Sequence, residues 1–194
     1  MPYIYKMSNA GGMSTVTRYT DMLAGNAAFV DTAYESIATV TVGAGGSSGM
    51  SFTSIPQTYK HLQIRVFGKT NSNGAASLYM NNVSSGTAYS YHNLRGDGSS
   101  TSAYAASSQP YMSDIVGTTS STNFGGYIID ILDYADTNKY KTIRALNGVD
   151  NNGSGNVELY SGLWQSTAAI TQFDLFNGYV WSQYTHGALY GIKG

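Results

Sequence analysis

Apolar and polar residues alternate with a period of two in many short runs of this chain, and glycine and asparagine break up the runs. That pattern commits the chain to antiparallel sheet. In Leu62-Gln63-Ile64-Arg65-Val66-Phe67, residues Leu62, Ile64 and Val66 share one side, while His61, Gln63 and Arg65 share the other. Successive side chains of a strand point to opposite faces, so this is a half-buried strand. Residues 156–164 repeat the pattern, with Val157, Leu159 and Leu163 opposite Asn156, Glu158 and Tyr160. The first set is the one expected inside. Similar runs cover residues 36–42, 77–82, 141–149, 169–176 and 187–192, while 126–134 is apolar on both faces and reads as a central strand. Gly43-Ala44-Gly45-Gly46, Asn71-Ser72-Asn73-Gly74, Gly96-Asp97-Gly98, Asn151-Asn152-Gly153 and Asn177-Gly178 supply residues that accept positive φ and suit tight turns. Eight or more short strands at this spacing predict an all-β fold, an antiparallel β-sandwich of jelly-roll type.

The alternation starts at Tyr34. Residues 1–33 show no such pattern beyond a weak helical signal near 14–23, and they contain Gly11-Gly12 and Gly25-Asn26. They read as an extended N-terminal arm that needs another surface to lie on, with the sandwich occupying residues 34–194. Residues 99–121, rich in Ser, Thr and Ala, read as a long surface loop. No internal repeat points to a propeller or solenoid.

Only 11% of the 194 residues are charged, the net charge is −1, and Gly (23) and Tyr (17) are abundant. The ten Lys and Arg are scattered and leave no basic footprint for nucleic acid. The apolar runs are too short to insert in a bilayer. Met1-Pro2-Tyr3-Ile4-Tyr5-Lys6 has no apolar export segment, so synthesis in a cytoplasm is expected. The absence of cysteine excludes disulfides and thiolate zinc sites.

No catalytic constellation stands out. His61, His92 and His186 belong to no metal-ligand pair, and no metal or cofactor is expected. On a strand, Asp130 and Asp133 would face opposite sides, so they do not form the matched carboxylates of a glycosidase. Asp133 and Asp136 instead suit a turn before Asn138-Lys139-Tyr140, held by side-chain-to-backbone hydrogen bonds. No Gly-x-Ser-x-Gly elbow or P-loop lysine is present. The remaining signal is aromatic. Tyr104, Tyr111, Tyr179, Trp181 and Tyr184 sit in or beside Gly/Ser/Asn-rich stretches. They are the candidate contacts for a glycan, a partner or another subunit, because rings stack on sugar CH faces and also anchor protein interfaces.

Several stretches resemble a group of tailed-bacteriophage virion proteins. They are Tyr34-Glu35-Ser36-Ile37-Ala38-Thr39-Val40-Thr41-Val42, then Ile55-Pro56 with Tyr59, His61, Leu62, Ile64 and Arg65, then Ile129-Asp130-Ile131-Leu132-Asp133-Tyr134-Ala135, and the segment Leu189-Tyr190-Gly191-Ile192-Lys193-Gly194. Arg18-Tyr19-Thr20 and Met22-Leu23-Ala24-Gly25-Asn26 fit the same group. The resemblance implies a non-enzymatic structural protein of a virion, assembled in the host cytoplasm. It would be a tail-fibre or baseplate-attached protein whose sandwich contacts a host-surface glycan or protein receptor. The alternative is a capsid decoration or head-fibre protein, and a glycan-processing enzyme comes third. Expected partners are other virion proteins through residues 1–33 and further copies of the chain, a trimer being favoured.

Overall fold

Each alternating run forms a strand in the computed structural model, which describes residues 33–72, 74–108, 111–115 and 122–194. The expectations for the arm and its helical turn lie outside the described residues. Twelve strands are found among the described residues: β1 (Tyr34–Thr41), β2 (Ser47–Phe52), β3 (His61–Gly68), β4 (Gly74–Met80), β5 (Tyr89–Gly96), β6 (Thr101–Ser107), β7 (Tyr111–Ile115), β8 (Gly125–Leu132), β9 (Lys141–Asp150), β10 (Gly155–Trp164), β11 (Phe173–Trp181) and β12 (His186–Ile192). They build two antiparallel sheets, ordered β1-β12-β3-β8-β9-β10-β5-β6 and β2-β11-β4-β7.

The expected jelly roll is present and carries additions. If the hairpins β5–β6 and β9–β10 are set aside, eight strands remain. Numbered along the chain, they lie in the orders 1-8-3-6 and 2-7-4-5, which is jelly-roll connectivity. Both hairpins extend the same sheet, so the long sheet has eight strands against four.

Between the sheets, Met50, Phe52, Leu78, Met80, Phe173 and Leu175 of the short sheet face Leu62, Ile64, Val66, Ile129, Ile131, Ile143 and Leu189 of the long one. The Phe52 and Phe173 rings meet at 5.1 Å. Two buried polar side chains, Tyr89 and Lys141, find their partners locally. The Tyr89 hydroxyl accepts from the Met80 amide at 2.9 Å and donates to the Val83 carbonyl at 2.8 Å. It thereby braces the turn in which Asn81 and Asn82 have φ of 49° and 60°. Lys141 is fully buried, and its ammonium donates to the carbonyls of Asp136, Lys139 and Thr167.

Three local expectations are corrected. Residues 99–121 hold β6 and β7, low in apolar residues because β6 is an edge strand and β7 ends the short sheet. Asn177-Gly178 makes no hairpin turn. It lies within β11, where Phe176 pairs with Gly49 and Trp181 with Ser47, leaving a wide bulge between. Residues 169–172 precede β11 and form no strand. By contrast, Asn151-Asn152-Gly153 does turn β9 into β10, with Asn152 and Gly153 at φ of 63° and 90°.

Candidate interaction surface

The five aromatics singled out from sequence do not gather at one place. Tyr104 is exposed on the edge strand β6, and Tyr184, 70% exposed, caps the turn before β12. Those strands stand six positions apart in the long sheet, about 29 Å at the usual spacing. Tyr179 lies exposed on β11, in the other sheet. Tyr111 pairs in register with Ser77 on β4, and its side chain lies outside the described residues. Trp181 must be corrected outright. It is fully buried, because the strand returns to the core after the bulge and lays the indole beneath Gly68, where an added Cβ would come within 3.1 Å of it.

A different array comes together on the outer face of the long sheet. The pattern of β10 is reversed from expectation. Asn156, Glu158, Tyr160 and Trp164 are buried, while Val157 and Leu159 are turned outward. Period two defines two faces but not which one is inside. Here the bulk of Tyr160 and Trp164 takes the core, and Glu158 goes in with a partner on each side. The Asn156 amide donates to its carboxylate at 2.9 Å, and the Arg95 guanidinium stands 3.4 Å away. Strand β8 is apolar on both faces, as its sequence suggests, yet only one of them is covered. Ile129 and Ile131 are buried, while Ile128 is exposed.

The registers place these outward residues side by side. Arg65, Ile128, Leu146, Leu159, Leu94 and Ala103 stand directly opposite one another on β3, β8, β9, β10, β5 and β6. Leu94 and Leu159 are 56% and 54% exposed, and Leu146 and Ile128 are nearly as open. The four central aliphatic side chains form a ridge about 14 Å long. On one side runs a polar row of Gln63, Asp130, Arg144, Ser161 and His92, again in register. Within it, Gln63 donates to Asp130 at 2.8 Å and accepts from Arg65 at 2.7 Å. On the other side, Phe67, Gly126, Gly148, Val157 and Gly96 form a row with three glycines.

Gly126 and Gly96 lack a positive φ, and a Cβ at either position would meet nothing closer than 3.9 Å. The chain's own packing therefore does not require glycine there. Glycine inside a strand weakens it and often marks close approach of another backbone or ligand. Where the ridge meets β6, the small Ala103, Ala105 and Ser161 leave a concavity of about 500 Å³ beside Leu94 and Leu159.

The charged groups elsewhere serve structure. Asp133 sits at φ 48° in the turn after β8. Hydrogen bonds from Lys139 and Lys60 hold its carboxyl down to about 2, so it is ionised at neutral pH and is no proton donor. Asp136 accepts from the Asn138 amide at 2.8 Å, the turn bond expected of it, whereas Asp133 pairs with the lysines instead of the backbone. Nδ1 of His61 accepts the Asp133 amide at 2.9 Å and helps to fix the same turn. Among the described residues, no group of three His, Asp or Glu could hold a metal ion.

An aliphatic ridge with glycine and alanine troughs suits a protein surface. The leucine and isoleucine of the ridge itself offer a sugar neither a ring face nor a hydrogen bond. Sequence reasoning missed these residues. Their traces were present in the doubly apolar β8 and in a strand carrying Glu158 and Tyr160 on the same side. No family model, curated protein or solved structure matches the chain.

Proposed function

We propose that this chain is a non-enzymatic structural protein of a bacteriophage particle, a tail-fibre or baseplate-attached subunit. Its jelly roll contacts other copies and the host surface, and residues 1–33 join it to the virion. The observation that carries this reading is the outer face of the long sheet, an uncharged aliphatic ridge in register across four strands. Such a face fits a subunit in an assembly. The resemblance of the strand and turn sequences to virion proteins supplies the particle. Tyr179 and Tyr184, exposed at separate sites, are left for contacts outside the subunit interface, while Tyr104 borders the concavity beside the ridge. Many copies on one particle would multiply weak host contacts into firm attachment.

The test is electron microscopy of intact particles carrying a gold label on the C-terminus of the chain. Label at the tail or baseplate supports the reading. Label spread over the head at high copy number replaces it with capsid decoration. Purified particles without the chain refute both. Release of reducing ends from host polysaccharide by the purified chain would instead support an enzyme.

A further inference from the structure

We infer that the outer face of the long sheet, centred on Leu94, Leu146 and Leu159, is where a second copy of this chain docks. The inference deepens the reading of the chain as an assembly subunit, and its biological use rests on that reading. Its physical basis is the face itself.

The first argument is area. Phe67, Ile128, Leu146, Val157, Leu159 and Leu94 are each 42–56% exposed. Together they leave on the order of 500 Å² of apolar side chain in water, near the upper end of what monomers tolerate in one patch. With the flanking polar row, the face supplies roughly the 800 Å² per partner that a standard stable interface uses. It also has the anatomy of an interface, an apolar centre with Arg65, Asp130, Arg144 and His92 at its margin.

The second argument is shape. The ridge of large aliphatic side chains lies between two low strips. One is the pair Gly126 and Gly148 between Phe67 and Val157, and the other is the hollow above Ala103, Ala105 and Ser161. A surface with a ridge and a trough side by side can complement itself, because a rotated copy sets its ridge in the trough of the first. That gives the open Gly126 a use that the single chain does not provide. Two sheet faces packed in this way would approach to about 10 Å, as the layers of a sandwich do.

The third argument is the inverted burial of β10. Seating Tyr160 and Trp164 in the core leaves Val157 and Leu159 turned outward, an arrangement that costs a lone chain exposed apolar surface. It becomes favourable when another apolar face covers the leucines.

Sedimentation velocity of the purified full chain at micromolar concentration tests the inference. The expected result is a species larger than the monomer that Leu159→Asp reduces to monomer, weakening association at least about 100-fold. Circular dichroism and thermal melting establish that the variant is folded. Should Leu159→Asp not fold, Leu94→Lys takes its place, one strand over. Because the chain has no cysteine, a single Leu146→Cys substitution gives an independent readout. A short bis-maleimide should link two copies through it, and the same reagent should not link copies through Tyr140→Cys in the exposed turn before β9. A monomeric parent chain, or a folded Leu159→Asp variant that still associates, overturns the inference. That failure leaves the virion reading standing if the label is found on particles. A self-associating chain absent from particles sinks only the virion reading.

Discussion

Replacing Tyr89 with phenylalanine removes one oxygen atom from the core and leaves the ring in place. In the native chain that oxygen closes two bonds, accepting from the Met80 amide at 2.9 Å and donating to the Val83 carbonyl at 2.8 Å. Both Met80 and the Tyr89 side chain are almost wholly excluded from water. The variant therefore leaves a buried amide without an acceptor, which costs about 1–3 kcal/mol, and forfeits a second ordinary bond worth about 1 kcal/mol. A loss of about 2–4 kcal/mol lowers the melting temperature by roughly 5–15 °C for a domain of this size. The pH dependence supplies a signature that a merely looser core would not show. Burial pushes the Tyr89 hydroxyl up to about 12 from its ordinary 10.0. An acid whose folded value is raised stabilises the fold fully below the unfolded value and loses that stabilisation as pH climbs toward the folded one. The gap between parent and Tyr89→Phe should therefore be constant up to about pH 10 and shrink from there to about pH 12. Urea denaturation of both proteins across that range measures it. Two outcomes would refute the reasoning: a gap under about 0.5 kcal/mol at neutral pH, or a gap that stays constant through the alkaline range.

Lys141→Met keeps most of the buried stem but strips three carbonyls of their shared donor. It should cost about 2–4 kcal/mol, and calorimetry should show a melting temperature lower by roughly 5–15 °C. A shift within about 2 °C would mean that the turn before β9 holds without the ammonium. Asp133 is the acid counterpart. Its carboxyl, held at about 2 by Lys139 and Lys60, stabilises the fold above the ordinary 3.8 and loses that contribution as pH falls toward 2. Asp133→Asn keeps the left-handed turn, which asparagine tolerates. It should flatten the acid limb of the stability profile between about pH 4 and pH 2 while costing under about 1 kcal/mol at pH 7. An unchanged acid limb in the variant would exclude Asp133 as its source.

The strands were legible because period two is a local signal. Leu62, Ile64 and Val66 are buried as their spacing requires, and Asn152-Gly153 turns a hairpin because both positions need positive φ. Two classes of error have physical causes. Alternation cannot tell inside from outside when both faces carry apolar residues. In β10 the answer came from Tyr160 and Trp164, whose bulk outweighed the leucines. Turn chemistry is likewise ambiguous. Asn177-Gly178 has the composition of a hairpin but serves a bulge, and only the pairing of Phe176 with Gly49 and Trp181 with Ser47 reveals it. The interaction face was invisible for a further reason. Ile128, Leu146, Leu159 and Leu94 are far apart in sequence and become neighbours only through four strand registers.

Among the described residues, the edge strand β1 has a single partner in its sheet, β12, with Tyr34 opposite Ile192 and Thr41 opposite His186. The two strands are separated by about 150 residues, so this pair belongs to the slowest class of contact to form. On a ribosome, β1 emerges early and waits with its hydrogen-bonding edge open until β12 follows. Through that interval Tyr34, Ile37 and Val40 depend on finding no other edge to pair with, in a chain with few charges to keep neighbours apart. Production at low temperature and low crowding should therefore raise the yield of soluble chain.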